Sequence, residues 1–425
     1  MVDFRPFRGV RYDTTVAGNM ADLVCPPYDV ISSTQEQALL SQNPNNMVLL
    51  ELAELSGPAP ADRYAKAAAA YQNLQASGVL RRDEQPSYYL LRQRFNVGAQ
   101  THERFGIFGA LRIEELGKGV LPHEDTAAGP KQDRLALMEA TQANFSPTMM
   151  LYRDPEGRVR QVRDQAVTKP PEVEFSVDGE HYTCWAISDP DSTKVIQEAL
   201  SSQPAYIADG HHRYETSIVY RDKKGGQDDA ASRFVLTCML DFEDPGLLIL
   251  PYYRVLHGLN GEQLEKLHAL LAEYFTSASV GIASAAELDQ AVAKAGVNQV
   301  VLGVVEQGKE PYLLTPASDS IPRFAPNDPP ERQMRTVEAW VLQELLFRPV
   351  VGDAFPEHVA YVHDGQHAMD MVAKGEGQVA FFIKGVPADA FESVVGAGIR
   401  LPRKSTYFYP KLPSGLVINP LEGRV

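Results

Sequence analysis

The chain has 425 residues, 44% of them hydrophobic and 22% charged, and its 40 Lys+Arg against 55 Asp+Glu leave a formal net charge of −15. Such a composition belongs to a folded protein of about two or three domains, and the acidic surplus argues against nucleic acid or an anionic membrane as a partner. Cys25, Cys184 and Cys238 are far apart and form no CxxC pair, which indicates neither a disulfide framework nor a cysteine zinc site and fits a reducing cytoplasm. The opening residues carry no signal-like apolar core and no later window is long enough to span a bilayer, so a cytoplasmic protein is expected.

In chain order, the paired prolines of residues 24–31 form a stiff turn. The alanine-rich run 61–75 predicts a helix closed by Gly78. Residues 87–96 and 104–113 predict paired strands joined through 97–102, giving an α+β domain over 1–115. An irregular loop follows at 121–134, then a helix at 135–143, a stop at Asn144-Phe145-Ser146-Pro147 and a strand at 148–152. Residues 154–178 are charged and lack an apolar period, which predicts a surface excursion.

From 181 to 257 strands and helices alternate, implying a mixed sheet with helices packed on it; residues 116–260 are taken as the second domain. Helices are predicted at 263–274 and 285–295, strands at 300–305 and 312–315, and an amphipathic helix at 336–346. A strand, helix and strand at 358–362, 365–373 and 379–383 complete a third α+β domain, 261–425. The polar, proline-rich stretch 322–330 is a loop or a domain junction. The fold class expected is α+β, with mixed sheets and packed helices.

Residues 206–208 end a strand, Asp209-Gly210 turns, and His211 begins a helix whose first turn holds His212, Arg213 and Tyr214. A helix start presents unpaired N–H groups and partial positive charge, so phosphate suits it. Asp209 is a candidate Mg²⁺ ligand or acid–base group, and His211, His212 and Arg213 supply donors for phosphate oxygens. A capped helix start is the plainer alternative, and it requires the aspartate alone.

A second cluster joins His123, Glu124, Lys131 and Arg134. Glu124 suits a general base positioned by His123, while Lys131 and Arg134 suit neutralisation of phosphate; a solvated loop with local ion pairs is the alternative. A third, Lys404, Ser405 and Thr406 beside Arg403 and ahead of Tyr407-Phe408-Tyr409, suits an anion loop or a terminal strand with basic flanks. Arg5, Arg8 and Arg11 with Pro26-Pro27-Tyr28-Asp29 form a fourth. Phosphate-loop, HExxH and GxSxG signatures are absent from the sequence.

Pro26-Pro27-Tyr28-Asp29-Val30, His123-Glu124-x-Thr126, the run from Ala208 to Thr216, and Pro402-x-Lys404-Ser405-Thr406-Tyr407-Phe408-Tyr409-Pro410-Lys411 together resemble a conserved bacterial and archaeal protein family of about this length. More distantly, Asp209-Gly210-His211-His212-Arg213 resembles the phosphate-gripping turn of the ParB and sulfiredoxin superfamily, whose free serine kinases carry an Asp-Gly-His-x-Arg form. That resemblance implies a ParB/sulfiredoxin-like catalytic core within 116–260. It also implies phosphoryl transfer from ATP or ADP, with Mg²⁺, to a small hydroxyl substrate such as serine.

By the same resemblance Asp209 and His211 are catalytic or metal-side groups, Gly210 and Arg213 grip phosphate, and Glu124 takes the part of the kinases' upstream glutamate. Sulfiredoxin's cysteine has no counterpart here, and no helix-turn-helix follows the box. A phospholigand-binding regulatory protein without turnover and a nucleotide hydrolase are the alternatives, since both need the same phosphate-gripping groups.

Overall fold

The computed structural model describes residues 2–52, 60–125, 129–279, 281–296, 299–317, 321 and 328–425. Thr126 and residues 322–327 of the proline-rich stretch lie outside the described residues. The fold is α+β with mixed sheets, as expected. It divides into two compact units, Met1–Leu247 with Pro410–Val425, and Leu248–Tyr409. The expected boundary at 115/116 has no counterpart in this division, because Phe234–Asp241 pairs with Gln100–Arg112 in a single sheet. Pairing of that kind joins residues more than a hundred positions apart and leaves no local pattern.

In the first unit nine described strands form one sheet. Its order is Val120–Leu121, Ala205–Asp209, Thr148–Tyr152, Phe234–Asp241, Gln100–Arg112, Tyr88–Val97, Glu180–Ile187, Val173–Val177, with Phe4–Arg5 also on Gln100–Arg112. Ala205–Asp209 is parallel to Val120–Leu121 and antiparallel to Thr148–Tyr152. Helices Arg158–Ala166, Pro190–Ser201 and His211–Lys224 contribute Val159, Val162, Ile196, Leu200 and Tyr214 to a core shared with Phe4, Leu90, Leu111, Met150 and Ile207. Each such side chain, fully buried, stabilises the unit by about 1.5–3 kcal/mol before entropy is counted.

The surface excursion expected over 154–178 is instead a core helix and an edge strand. Val159, Val162 and Ala166 fall on one helical face, hidden in sequence by four arginine and aspartate neighbours. The edge strand returns through Asp178-Gly179, both at positive φ (51° and 80°), a tight hairpin turn matched to strand twist.

The second unit carries a six-stranded sheet with every pairing antiparallel, in the order Phe275–Ser279, Tyr312–Pro316, Leu302–Glu306, Val379–Phe382, Tyr253–Leu256, Val359–Val362. Capping boxes begin its helices Gly261–Tyr274 and Ala285–Lys294: Asn260 pairs with Gln263, and Ser284 with Glu287. The amphipathic helix expected at 336–346 is α-helical only over Glu338–Val341 and continues as π-helix over Leu342–Phe347. Among the described residues no helix is long and apolar enough to cross a membrane.

Candidate functional site

The topology of the first unit explains why distant polar residues meet. Two neighbouring parallel strands deliver the segments after their carboxyl ends to the same sheet edge, so His123 and Glu124 arrive beside Asp209 and His211. The antiparallel strand Thr148–Tyr152 begins at that same edge, which brings Pro147 there. A register shift between Ile207 and Asp209 turns the strand end at the point where the polar groups start.

Gly210 caps the helix in the left-handed region, φ 90° and ψ 30°. A Cβ there would be strained by that φ and would also meet the Arg213 guanidinium at about 3.0–3.2 Å. Fully buried Tyr214 anchors the first helical turn: its hydroxyl donates to the Glu114 carbonyl (3.0 Å) and accepts from the Glu114 N–H (2.9 Å).

Asp209 is the electrostatic centre of the turn. One carboxylate oxygen pairs with Lys411 Nζ and the other with Arg213 Nη2, while Arg213 Nη1 donates to the Pro147 carbonyl. Burial opposes the charged carboxylate, but Lys411 and then Arg213 outweigh it and hold Asp209 well below the usual carboxylate range. A carboxyl with a depressed folded pKa contributes stability that is complete above its unfolded value and is lost as pH falls through the folded value. Asp209→Asn should therefore flatten the acid limb of stability below about pH 4. Urea midpoints measured from pH 2 to 7 check this; an unchanged acid limb would remove Asp209 from the account.

His123 and His211 are both buried, and their rings meet edge to face with centroids 4.5 Å apart. Facing the Ile207 carbonyl at 2.7 Å, His123 Nδ1 must carry the proton, since the oxygen only accepts. His211 Nε2 accepts from the His123 backbone N–H (3.3 Å), so a neutral His211 ring bears its proton on Nδ1, 3.5 Å from Glu124 Oε1. A carboxylate oriented on an imidazole N–H is suited to accept and relay a proton. One ring nitrogen of each histidine and one Glu124 oxygen lie within 4.8 Å of one another, a possible metal-holding group.

His212 is half-buried, and burial, opposed by Glu124 and Glu215, lowers its pKa. Lys131 and Arg134 are placed by helix Gly129–Thr141, not by the irregular loop expected there. Lys131 pairs with Glu215. Arg134 lies 4.1 Å over the Tyr28 ring, and its nitrogens donate to the Glu51 carboxylate (2.9 Å), the Glu51 carbonyl (3.0 Å) and Asp133 (2.6 and 2.9 Å). That guanidinium is engaged in holding the fold, which differs from the phosphate contact expected of it. Lys404, Ser405 and Thr406 belong to the second unit. There Lys404 has φ 58°, its Nζ lies 5.1 Å over the Tyr252 ring, and its carbonyl accepts from buried Arg254 (3.0 Å); Ser405 is buried.

With this geometry in place, residues 4–343 match the family described as "Protein of unknown function (DUF1015)". The chain belongs to the DUF1015 family. No curated protein matches it in sequence. Among solved structures, a conserved hypothetical protein from Pyrococcus furiosus is 14% identical with a TM-score of 0.34, over 70% of this chain and 92% of that one. A free serine kinase in complex with AMP is 14% identical with a TM-score of 0.35, over 72% and 98%. SbnI with a C-terminal truncation, from Staphylococcus aureus, is 11% identical with a TM-score of 0.35, over 72% and 85%.

Within this DUF1015 chain the lysine that meets Asp209 is Lys411, not one of the residues first expected to contact phosphate. Its signal lay in the Pro410-Lys411 end of the same box, overshadowed by the denser Arg403-Lys404 pair. Glu51 was also missed, although a lone carboxylate inside Val48-Leu49-Leu50-Glu51-Leu52 is a recognisable sign of a buried partner. Arg5, Arg8 and Arg11 pair instead with Asp3, the Asp83 backbone and side chain, and Glu172. Asp209, already neutralised by an ammonium and a guanidinium, does not fit the Mg²⁺ ligand expected at this position.

Proposed function

We propose that the first unit binds a nucleotide by its phosphates at the Asp209–Arg213 turn and transfers a phosphoryl group from ATP or ADP to a small hydroxyl compound such as free serine. The observation that carries this reading is the convergence of two cations, Arg213 and Lys411, on one carboxylate at a helix start, beside the Glu124–His211 pair. Asp209 holds both cations in place, and the N-terminal turn of His211–Lys224 adds oriented N–H donors. A guanidinium has five N–H groups, so Arg213 can keep its Asp209 and Pro147 bonds and still donate to phosphate.

In the proposed step the substrate oxygen attacks the terminal phosphorus, forming one O–P bond as the bridging P–O bond breaks. ADP or AMP leaves with the bridging electrons, and Glu124 takes the hydroxyl proton. Positioning and preorganised charge supply most of the catalysis in such reactions. Mg²⁺, where required, would come with the nucleotide and take no ligand from Asp209.

The test is incubation with ATP or ADP, Mg²⁺ and a panel of hydroxyl amino acids, followed by phosphorus NMR. A new phosphate monoester is expected, with nucleotide affinity reduced about 10-fold or more in Arg213→Ala, the loss of one charge-assisted hydrogen-bonding group. Free phosphate released without an acceptor would make the protein a hydrolase, and binding without product a regulatory protein. No product together with unchanged affinity in the Arg213 variant would sink the reading.

A further inference from the structure

Two buried imidazoles and a carboxylate meeting at one sheet edge are a different kind of site from the cationic turn beside them. We infer that His123, Glu124 and His211 bind a divalent transition-metal ion of the Zn²⁺ or Co²⁺ class, with three protein ligands.

The donor set carries the choice of ion. Mg²⁺ takes oxygen ligands and keeps its waters, whereas two imidazoles with one carboxylate suit zinc and its neighbours in the first transition row. For one ligand pair the spacing agrees: two metal–ligand bonds of about 2.1 Å meeting at a tetrahedral angle span about 3.4 Å, and His211 Nδ1 stands 3.5 Å from Glu124 Oε1, with the donor atoms of all three residues within 4.8 Å of one another. A cation between them takes the place of the proton that His211 Nδ1 carries in the arrangement described here.

His123 is oriented as a metal-binding histidine is oriented. Its Nδ1–H is held by the carbonyl of Ile207, a fully buried strand residue, which fixes the ring and puts the lone pair on Nε2. The backbone delivers all three ligands: the parallel pairing of Val120–Leu121 with Ala205–Asp209 sets His123 and Glu124 against His211. Three ligands leave a coordination position for solvent or a substrate atom, the pattern of catalytic more than structural zinc.

This inference does not need phosphoryl transfer to be correct. A chain that bound zinc and no nucleotide would sink the proposed function and leave the metal site standing; a zinc-indifferent kinase would do the reverse. If both hold, a bound cation withdraws Glu124 from proton acceptance, so loading and turnover oppose each other.

The experiment is calorimetric titration of chelator-stripped, full-length protein with ZnCl₂, CoCl₂ and MgCl₂, with the visible absorption of bound Co²⁺ as a second readout. One Zn²⁺ or Co²⁺ per chain is expected, at least about 100-fold tighter than Mg²⁺. Glu124→Gln and His211→Asn should each weaken zinc at least about 10-fold. Circular dichroism verifies folding, and the half-exposed Glu124 position makes its variant the safer of the two. No saturable zinc binding, Mg²⁺ binding of equal strength, or a folded Glu124→Gln protein that binds zinc as the wild type does would each overturn the inference.

Discussion

Glu51→Ala is expected to destabilise the protein by about 3 kcal/mol, since it removes one of the two carboxylates on a buried guanidinium and the acceptor of two hydroxyls. Glu51 is 2% exposed and Arg134 6%. Glu51 accepts from Arg134 Nη1 at 2.9 Å, from Ser414 Oγ at 2.9 Å and from Ser146 Oγ. Removing the carboxylate leaves buried Arg134 with Asp133 as its one remaining carboxylate partner and takes the acceptor from the Ser414 and Ser146 hydroxyls. Glu51→Gln keeps the shape and part of the bonding, so its loss should be smaller. The same carboxylate ties the segment after Lys411 to the rest of the unit, because Ser414 also pairs with Cys25 through the backbone. Urea denaturation of both variants measures this. A loss below about 1 kcal/mol in Glu51→Ala would place the pair among interactions that hydrophobic packing compensates.

Glu124→Gln is expected to lower turnover of the proposed transfer by about 10²–10⁴-fold, the range for removing a positioned general base. The amide has the carboxylate's shape and cannot take the hydroxyl proton. Nucleotide affinity should change little, because the phosphate contacts are assigned to Arg213, Lys411 and the helix start. Single-turnover rates and binding constants measured on the same preparations separate the two effects. Equal falls in affinity and rate would make Glu124 a binding group, and an unchanged rate would remove it from the proposed chemistry.

The turn at Asp209 is the clearest case of a site legible in sequence. Strand, Asp-Gly turn and helix start occupy residues 205–211 as expected, since each depends on neighbours within a turn or two. His123 and Glu124 were read in one cluster and His211 in another, and a parallel ladder of just two residue pairs, Ala205 with Val120 and Tyr206 with Leu121, brings them together. Less was visible where charge hides an apolar stripe, as in helix Arg158–Ala166, or where two lysines compete within one box. Lys404 and Lys411 are seven positions apart, yet the division between the two units falls between them.

The sequence by itself determined the α+β class, the Gly210 turn that only a residue tolerant of positive φ adopts without strain, and the chemical types gathered around it. These follow from dihedral preference and short periodicities, which act over a few residues. Tertiary structure alone decided which charges meet. Asp209 and Lys411 are 202 positions apart, and Glu51 and Ser414 363. Their pairing depends on sheet register and on a C-terminal segment that returns to pair Asn419–Pro420 with Ala143–Asn144. A charge's partner is set by where the backbone ladder puts it, and that information is not carried by the residues on either side.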